Sequence, residues 1–309
     1  MTLKVTRGII TRPQKVVMYG PEGIGKTTLA SEAPEPLFID TESGTAHLNV
    51  ARIEYKKDWE SLLATIQEVA KEDCCKTLVI DTIDWAEQLA SDYICQRFKQ
   101  PSIESFGYGK GYTYLAEEME RFLGTLDEVI ASGKNVILTA HAKMRKQELP
   151  DEAGQFDRWE LKLTKQSAPL VKEWADAVLF INYKTMIVAT EGANKAQGGK
   201  RVIYTTHHPC WDAKNRHNLK NCLDLSYDNI AEIFNTSGTI TKTQDLSVEP
   251  QKTGELRTLM QTDGITEEQL RDLLSTSKFY DASKPIEDYS DKLIPQWQVI
   301  VTKIQNTIF

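Results

Sequence analysis

The sequence predicts an α/β fold with a mainly parallel sheet, antiparallel strands late in the core and a small helical module near the C-terminus. A glycine-rich phosphate-binding motif lies between a strand-like run and a helix-like run, as it does at the start of many such sheets. Apolar strand patterns then alternate with helical patterns up to about residue 140, which favours parallel strands with helices on both faces. Closely spaced β-type runs between residues 177 and 205 predict the antiparallel part.

The phosphate-binding motif follows the apolar run of residues 15–19 and reads GPEGIGKT, which is the full G-x-x-x-x-G-K-[ST] pattern. In such a loop, backbone N–H groups turn inward around a phosphate, and the next helix points its positive end at the same anion. We therefore expect ATP and Mg²⁺, with Lys26 on the β- and γ-phosphates and the Thr27 hydroxyl on the metal. The expected nucleotide contacts are Gly20, Pro21, Glu22, Gly23, Ile24, Gly25, Lys26, Thr27 and Thr28.

Further apolar runs predict neighbouring strands that end in polar residues. They cover residues 36–40, 77–82 and 135–140, and the last two lead to Asp81 and His141. Ligands of parallel sheets bind at the carboxyl ends of the strands. Asp81 is therefore the predicted second anchor of Mg²⁺.

The residue that activates water has to come from elsewhere, because Thr82 and not a glutamate follows Asp81. Glu42 is the first candidate, since adjacent parallel strands place their carboxyl ends side by side. An acid that caps a turn is the alternative interpretation of Glu42. Asp40 and Asp84 are the other candidates.

Composition restricts the cellular setting and the partners. The chain of 309 residues has a net charge of −7 and a pI near 5.4, which argues against a surface that coats duplex DNA but leaves room for a local basic groove. Without an apolar run of signal-peptide or membrane-spanning length, we expect a cytoplasmic protein with no membrane partner. The five cysteines suit reduced thiols, and the spacing of His207, His208 and Cys210 matches no paired zinc ligands.

The chain is predicted to divide into a core at residues 1–235, a linker at 236–254 and a helical module at 255–309. The linker is rich in Thr, Ser and Gln, and the module opens a helix with the capping box Thr266 to Gln269. Within the core, the glycine-rich segment 192–200 is predicted to be a turn between two strands. The module offers no catalytic set, so we expect it to bind a partner or another copy of the chain.

Several motifs together carry a resemblance to a known family. The strands at residues 37–42 and 78–82 resemble the RecA-like recombinase and helicase core. More narrowly, FGYGKGY at 106–112, TAHAK at 139–143 and AKNR at 213–216 resemble phage nucleotide-binding proteins described as core-only recombinase paralogues. The resemblance covers about residues 13 to 230, and it implies a protein that anneals single-stranded DNA in phage recombination.

The resemblance also implies catalytic roles. Glu42 matches the catalytic glutamate, and His141 matches the position that senses the γ-phosphate and signals to a DNA-contacting loop. Recombinases usually have glutamine there, so the histidine is closer to the ring helicases; a hydrogen-bonded core histidine is the alternative. Lys214 and Arg216 resemble a basic motif that reaches a neighbouring subunit's nucleotide in ring-forming ATPases, with a solvated basic turn as the alternative.

Two stretches combine cations with aromatic side chains, the combination that holds single strands. The predicted DNA contacts are Tyr108, Lys110 and Tyr112 in the first stretch and Lys143, Arg145, Lys146, Arg158 and Lys162 in the second. Ordinary loops whose aromatic residues face the core are the alternative in both cases.

The function predicted from all of this is an oligomeric ATPase, as a ring or a filament, that binds single-stranded DNA and promotes annealing or recombination. The alternative is a nucleotide-gated adaptor or loader that recruits a helicase or a single-strand-binding protein through its C-terminal module.

Overall fold

The computed structural model describes residues 10–148, 154–190, 193–234, 252–275, 281 and 284–307. The chain divides into two compact units, one within residues 7–240 and the other mainly within residues 241–309, so the core and the C-terminal helices are described separately. Within the described ranges, no helix has the length and apolar content that a membrane crossing requires.

The core unit contains strands and helices in alternation over its first half. The strands are β1 Lys15–Gly20, β2 Pro36–Asp40, β3 Ala51–Arg52, β4 Thr77–Asp81, β5 Asn135–Glu148, β6 Gln155–Leu161, β7 Ala177–Thr190, β8 Ala193–Tyr204 and β9 Cys222–Asp224. The helices are α1 Lys26–Ser31, α2 Trp59–Lys71, α3 Ile83–Arg97, α4 Lys110–Ala131 and α5 Ser167–Trp174.

The sheet confirms the predicted fold class. Its strands follow the order β3-β2-β4-β5-β1-β7-β8-β9, and pairing is parallel from β3 to β7 and antiparallel from β7 to β9. Strand β5 lies between β1 and β4, so the end of the phosphate-binding strand is next to His141 rather than next to Asp81. Asp40 is in register with Asp81 on the other side of β4. The order thus gathers the predicted polar strand ends at one edge.

Both faces of the sheet are covered, as expected for parallel strands. In β1, Val17 and Tyr19 belong to the cluster under helices α2 to α4, while Val16 and Met18 belong to the cluster on the opposite face. Successive side chains of a strand point to opposite faces, and because both faces are covered here, all four are fully buried.

The late antiparallel region differs from the prediction in detail. Residues 177–183 and 185–189 form the single strand β7, and residues 193–200 belong to β8, so the turn predicted at 192–200 is wrong for that segment; residues 191–192 lie outside the described ranges. The glycines there do not make a turn. Gly198 and Gly199 have φ of 122° and 131°, and they lie opposite a register shift between Lys184 and Thr185. A bulge in a long hairpin accommodates them.

Strand β5 also extends further than expected. The prediction ended it at Ala140, but it continues to Glu148 and pairs with β6, from Ala142 opposite Leu161 to Glu148 opposite Gln155. The second predicted DNA stretch is therefore a β-hairpin that grows directly out of the strand carrying His141.

The C-terminal unit has a hydrophobic core of its own. Its helices are α6 Lys252–Asp263, α7 Glu267–Leu274, α8 Ser290–Leu293 and α9 Trp297–Thr307. Leu256, Leu270 and Trp297 are among its buried residues, and the predicted capping box of Thr266 and Gln269 is present. The predicted linker lies outside the described residues over 236–251, and α6 begins inside its last part.

Candidate functional site

The loop between β1 and α1 depends on its glycines. A Cβ on Gly20 would lie 2.1 Å from the carbonyl oxygen of Ile181, so no side chain fits there. Gly25 has φ of 110°, a left-handed conformation that side chains disfavour. The first glycine of the motif is thus required by the close approach of β7. The last is required by the backbone turn that precedes Lys26.

Lys26 is directed back into the loop. Its ammonium donates to the carbonyl oxygens of Gly20 at 3.1 Å and Pro21 at 2.9 Å, and the residue is only 6% exposed. Burial lowers the pKa of Lys26, while the negative charges of Asp84 and Asp81 oppose that shift. A buried ammonium group that is held by two backbone carbonyl oxygens beside this loop is suited to an anionic ligand.

Asp81 is held by two hydroxyl groups. The Thr27 hydroxyl lies 3.0 Å from its Oδ2, and the Thr139 hydroxyl donates to its Oδ1. Burial raises the pKa of Asp81, and the two hydroxyl hydrogen bonds partly offset this effect. Carboxylate and hydroxyl oxygens beside a phosphate loop are the ligands that Mg²⁺ prefers, so Thr27 and Asp81 fit a magnesium–nucleotide complex.

Glu42 lies at the tip of β2, beside Asp81. Its backbone N–H donates to the carbonyl oxygen of Asp81 at 3.4 Å, and its Oε2 is 3.9 Å from Nε2 of His141. Burial raises the pKa of Glu42, and the charge of His141 acts in the opposite direction. The turn that follows β2 is capped instead by Asp40, which accepts hydrogen bonds from the N–H groups of Ser43 and Gly44.

His141 is fixed by Asp84. Its Nδ1 is 2.9 Å from Oδ2 of Asp84, and its backbone N–H donates to Oδ1 at 3.0 Å. Burial alone would raise the pKa of Asp84, but the hydrogen bonds from His141 hold it below its ordinary value. Both ring nitrogens of His141 thus face carboxylates, with Nε2 directed towards Glu42.

The family model described as AAA domain matches residues 12–217. The chain belongs to the AAA domain family. It therefore has a nucleotide-binding P-loop ATPase fold, in agreement with the loop, Lys26 and the Thr27–Asp81 pair.

Other comparisons add little. No curated protein matches the chain significantly. A KaiC-like protein from the hyperthermophilic archaeon Pyrococcus horikoshii is similar at 16% identity and a TM-score of 0.36, over 62% of this chain and 78% of that one. A TM-score this low supports no inference.

One residue of the first predicted DNA stretch and three residues of the second line the same pocket. A pocket of about 470 Å³ is lined by Tyr112 from the start of α4 and by Lys143, Arg145 and Lys162 from the β5–β6 hairpin and its end. Three further predicted contacts have exposed side chains on the same elements or directly before them. They are Tyr108 and Lys110 before and at the start of α4, and Lys146 on β5.

Arg158 is placed differently from the other predicted DNA contacts. It is 8% exposed, and its guanidinium is 2.5 Å from Oδ1 of Asp212. It also donates to the carbonyl oxygens of His208 and Pro209. The Arg158 side chain points inward from β6. It therefore links the hairpin to the segment that follows β8.

Lys214 and Arg216 contact their own chain. The Lys214 ammonium donates to the carbonyl oxygens of Lys172 and Glu173 at 3.1 Å, where it caps α5. Arg216 pairs with Asp176 at 2.9 Å. Asp176 directly precedes β7, and because β7 is parallel to β1, this contact lies at the end of the strands opposite the P-loop. A reach into a neighbouring subunit's nucleotide remains a prediction for both residues.

Two contacts of the site were not predicted from the sequence. Thr139 was not predicted as a partner of Asp81, although a hydroxyl in an otherwise apolar strand is a usable signal. Asp84 is predicted only as another candidate for activating water, whereas in the structure its carboxylate contacts Nδ1 of His141. As for the histidine and cysteine cluster, His208 stacks on Trp211 at 4.1 Å, and the described part of the chain holds no group of three or more His, Cys, Asp or Glu side chains that could bind a metal.

Proposed function

We propose that this protein is an ATPase whose turnover is stimulated by single-stranded DNA, and that it serves DNA annealing or recombination. The observation that supports the coupling is a chain of polar contacts from the nucleotide site to the basic pocket. It runs from Glu42 to His141 at 3.9 Å, from His141 to Asp84 at 2.9 Å, and from Asp84 to Lys162 at 3.9 Å. A ligand that attracts Lys162 would change the charge that Asp84 feels, and with it the position of His141.

The basic pocket suits a nucleic-acid backbone with an unstacked base. Lys143 is partly buried, and burial and then the charge of Arg145 lower the pKa of Lys143. The charges of Glu87 and Glu160 oppose this shift, and a bound phosphate would act in the same direction as these acids. Tyr112 lines the same pocket while it packs partly against the core, and an aromatic side chain at a basic pocket is the feature that favours single strands over duplex.

Each residue of the nucleotide site has a proposed task. Lys26 binds the phosphates, Thr27 and Asp81 hold Mg²⁺, and Glu42 orients the attacking water and accepts its proton. Bound Mg²⁺ would neutralise charge that develops on the phosphates. His141 keeps Glu42 in place, because Asp84 prevents the ring from turning away.

The proposal is tested by measuring steady-state ATP turnover of the full chain with and without a single-stranded oligonucleotide. We expect a several-fold stimulation in the wild type, its loss in Lys162→Ala and its partial return in Lys162→Arg. Lys71→Ala, an exposed lysine at the end of α2, is the matched control and should be stimulated like the wild type. Stimulation should also fall with rising salt, as binding to phosphates does.

Two outcomes would count against the proposal. An ATP turnover rate that DNA does not change would favour the nucleotide-gated adaptor, particularly if removal of residues 255–309 abolished binding to a helicase or single-strand-binding protein. Equal stimulation by duplex would contradict the preference for single strands. Self-association into a ring or filament is part of the proposal and is read out by electron microscopy with DNA and a non-hydrolysable ATP analogue.

A further inference from the structure

Arg201 contacts the P-loop from a distant part of the chain. It lies on β8 in register with Tyr183 of β7, and its Nη1 donates to the carbonyl oxygen of Ile24 at 3.2 Å. Its own backbone carbonyl accepts a hydrogen bond from the N–H of Leu225 at 3.1 Å, so the strand position is fixed from the other side. Nothing in the sequence motif marks this residue.

The guanidinium lies directly against the residue that precedes Lys26. A Cβ built on Gly25 would be 3.0 Å from Nη1 of Arg201 and 3.4 Å from Cδ2 of Leu225. The Gly25 conformation thus lets the arginine approach the loop backbone closely. A phosphate held by the N–H groups of this loop would have Arg201 as a neighbour.

Arg201 approaches from the flank opposite to the acids. Strand β1 has β5 with His141 on one side and β7, then β8 with Arg201, on the other. If the γ-phosphate faces Glu42 and Asp81, the nucleoside end of the phosphate chain faces the β7–β8 flank. The γ-phosphate of a bound triphosphate would therefore lie near the acids, and the nucleoside end would lie near Arg201.

The positive charge of Arg201 is available for a ligand. One of its N–H groups binds Ile24, whereas a guanidinium carries five donors in a planar fork that matches phosphate oxygens. Among the described residues, no acidic side chain forms an ion pair with Arg201. Asp224 on β9 pairs instead with Lys200, with 2.7 Å between Oδ1 and Nζ.

We propose that Arg201 binds the α- and β-phosphates of the nucleotide in its own chain, and so sets nucleotide affinity rather than the rate of hydrolysis. The inference rests on the proposed nucleotide binding and adds a residue to that site. It predicts that ATP and ADP depend on Arg201 to the same extent, since both carry the two phosphates that it would reach.

The test compares Arg201→Ala, Arg201→Lys and Lys200→Ala in the full chain. For Arg201→Ala we expect the Kd of ADP and the KM of ATP to rise together by about tenfold, with kcat within about twofold of the wild type. Arg201→Lys should recover part of the affinity, because it keeps the charge but not the fork. Lys200→Ala, the adjacent residue that pairs with Asp224, should leave both constants unchanged.

The outcomes separate this inference from the proposed function. If the wild type bound neither ATP nor ADP, the proposed function itself would fail. If the wild type bound both and Arg201→Ala bound them equally well, only the role of Arg201 would be overturned. A large loss of kcat at unchanged ADP affinity would also overturn it, since that result places Arg201 on the γ-phosphate. Thermal melting curves of all variants confirm that the comparison is between folded proteins.

Discussion

The Thr27 hydroxyl lies 3.0 Å from Oδ2 of Asp81, although 54 positions separate the two residues. One follows the P-loop lysine, and the other ends a strand that is not adjacent to the P-loop strand. Their contact places a hydroxyl oxygen and a carboxylate oxygen side by side next to the loop, where the proposed Mg²⁺ would bind.

Thr27→Ala should weaken the binding of Mg²⁺ in the ATP complex, because the metal loses one ligand while Lys26 remains. We expect the Mg²⁺ concentration needed for half-maximal ATP binding to rise by about tenfold. Thr27→Ser keeps the hydroxyl and is the matched control. A titration of Mg²⁺ with a fluorescent ATP analogue measures the change, and equal curves for alanine and serine would exclude Thr27 as a ligand.

Glu42→Gln should slow ATP turnover by roughly a hundredfold or more while ATP binding is retained, because an amide cannot accept a proton from water. The raised pKa of Glu42 means that its ionised form is disfavoured in the fold, so the neutral amide should not lower the thermal midpoint at neutral pH. Glu54→Gln, an exposed acid after β3, is the control. Unimpaired turnover in Glu42→Gln would assign water activation to another residue.

The pH profile of kcat/KM should report the same carboxyl group. Only ionised Glu42 can act as a base, and burial raises its pKa above the ordinary 4.5. The acid limb should therefore have its midpoint above pH 4.5, with activity lost as pH falls through it. A midpoint at or below that pH, measured where circular dichroism shows intact structure, would contradict the assignment.

Arg158→Ala should reduce stability rather than DNA binding alone. The residue pairs with Asp212 in a largely buried position and donates to the carbonyl oxygens of His208 and Pro209, while Lys172 also pairs with Asp212 at 2.9 Å. Alanine would remove these charged hydrogen bonds and leave Lys172 as the partner of the carboxylate, at a cost of about 2 kcal/mol of unfolding free energy. Denaturant unfolding measures this cost. Lys146→Ala, an exposed cation on the same hairpin, is the comparison and should unfold like the wild type. A fully stable Arg158→Ala protein with weakened DNA binding would instead support the sequence prediction.

Leu270→Ala should destabilise the C-terminal unit, whose core includes this fully buried side chain. The expected loss is about 3 kcal/mol, typical of a leucine removed from a packed core. We expect the unfolding transition that ATP stabilises to keep its midpoint, because the core and the C-terminal helices form separate compact units. A single transition that shifts as a whole would show that the two units unfold together.

The sequence by itself determined the α/β class, the P-loop and the acids at the strand ends. These features are local: the motif fits residues 20–27, and the apolar runs that end in Asp81 and His141 each lie within one strand. The capping box of Thr266 and Gln269 was predicted for the same reason. Patterns confined to one element can be recognised without its neighbours.

The tertiary structure decided which of these groups meet. Strand order brought Thr139 next to Asp81, and Asp84 next to His141. Arg158 is buried because it lies on the side of β6 that faces the interior. Long-range pairing also made residues 193–200 a strand despite their glycines. Such contacts join residues far apart in the chain, and their free energy depends on the register of a whole sheet rather than on any local pattern.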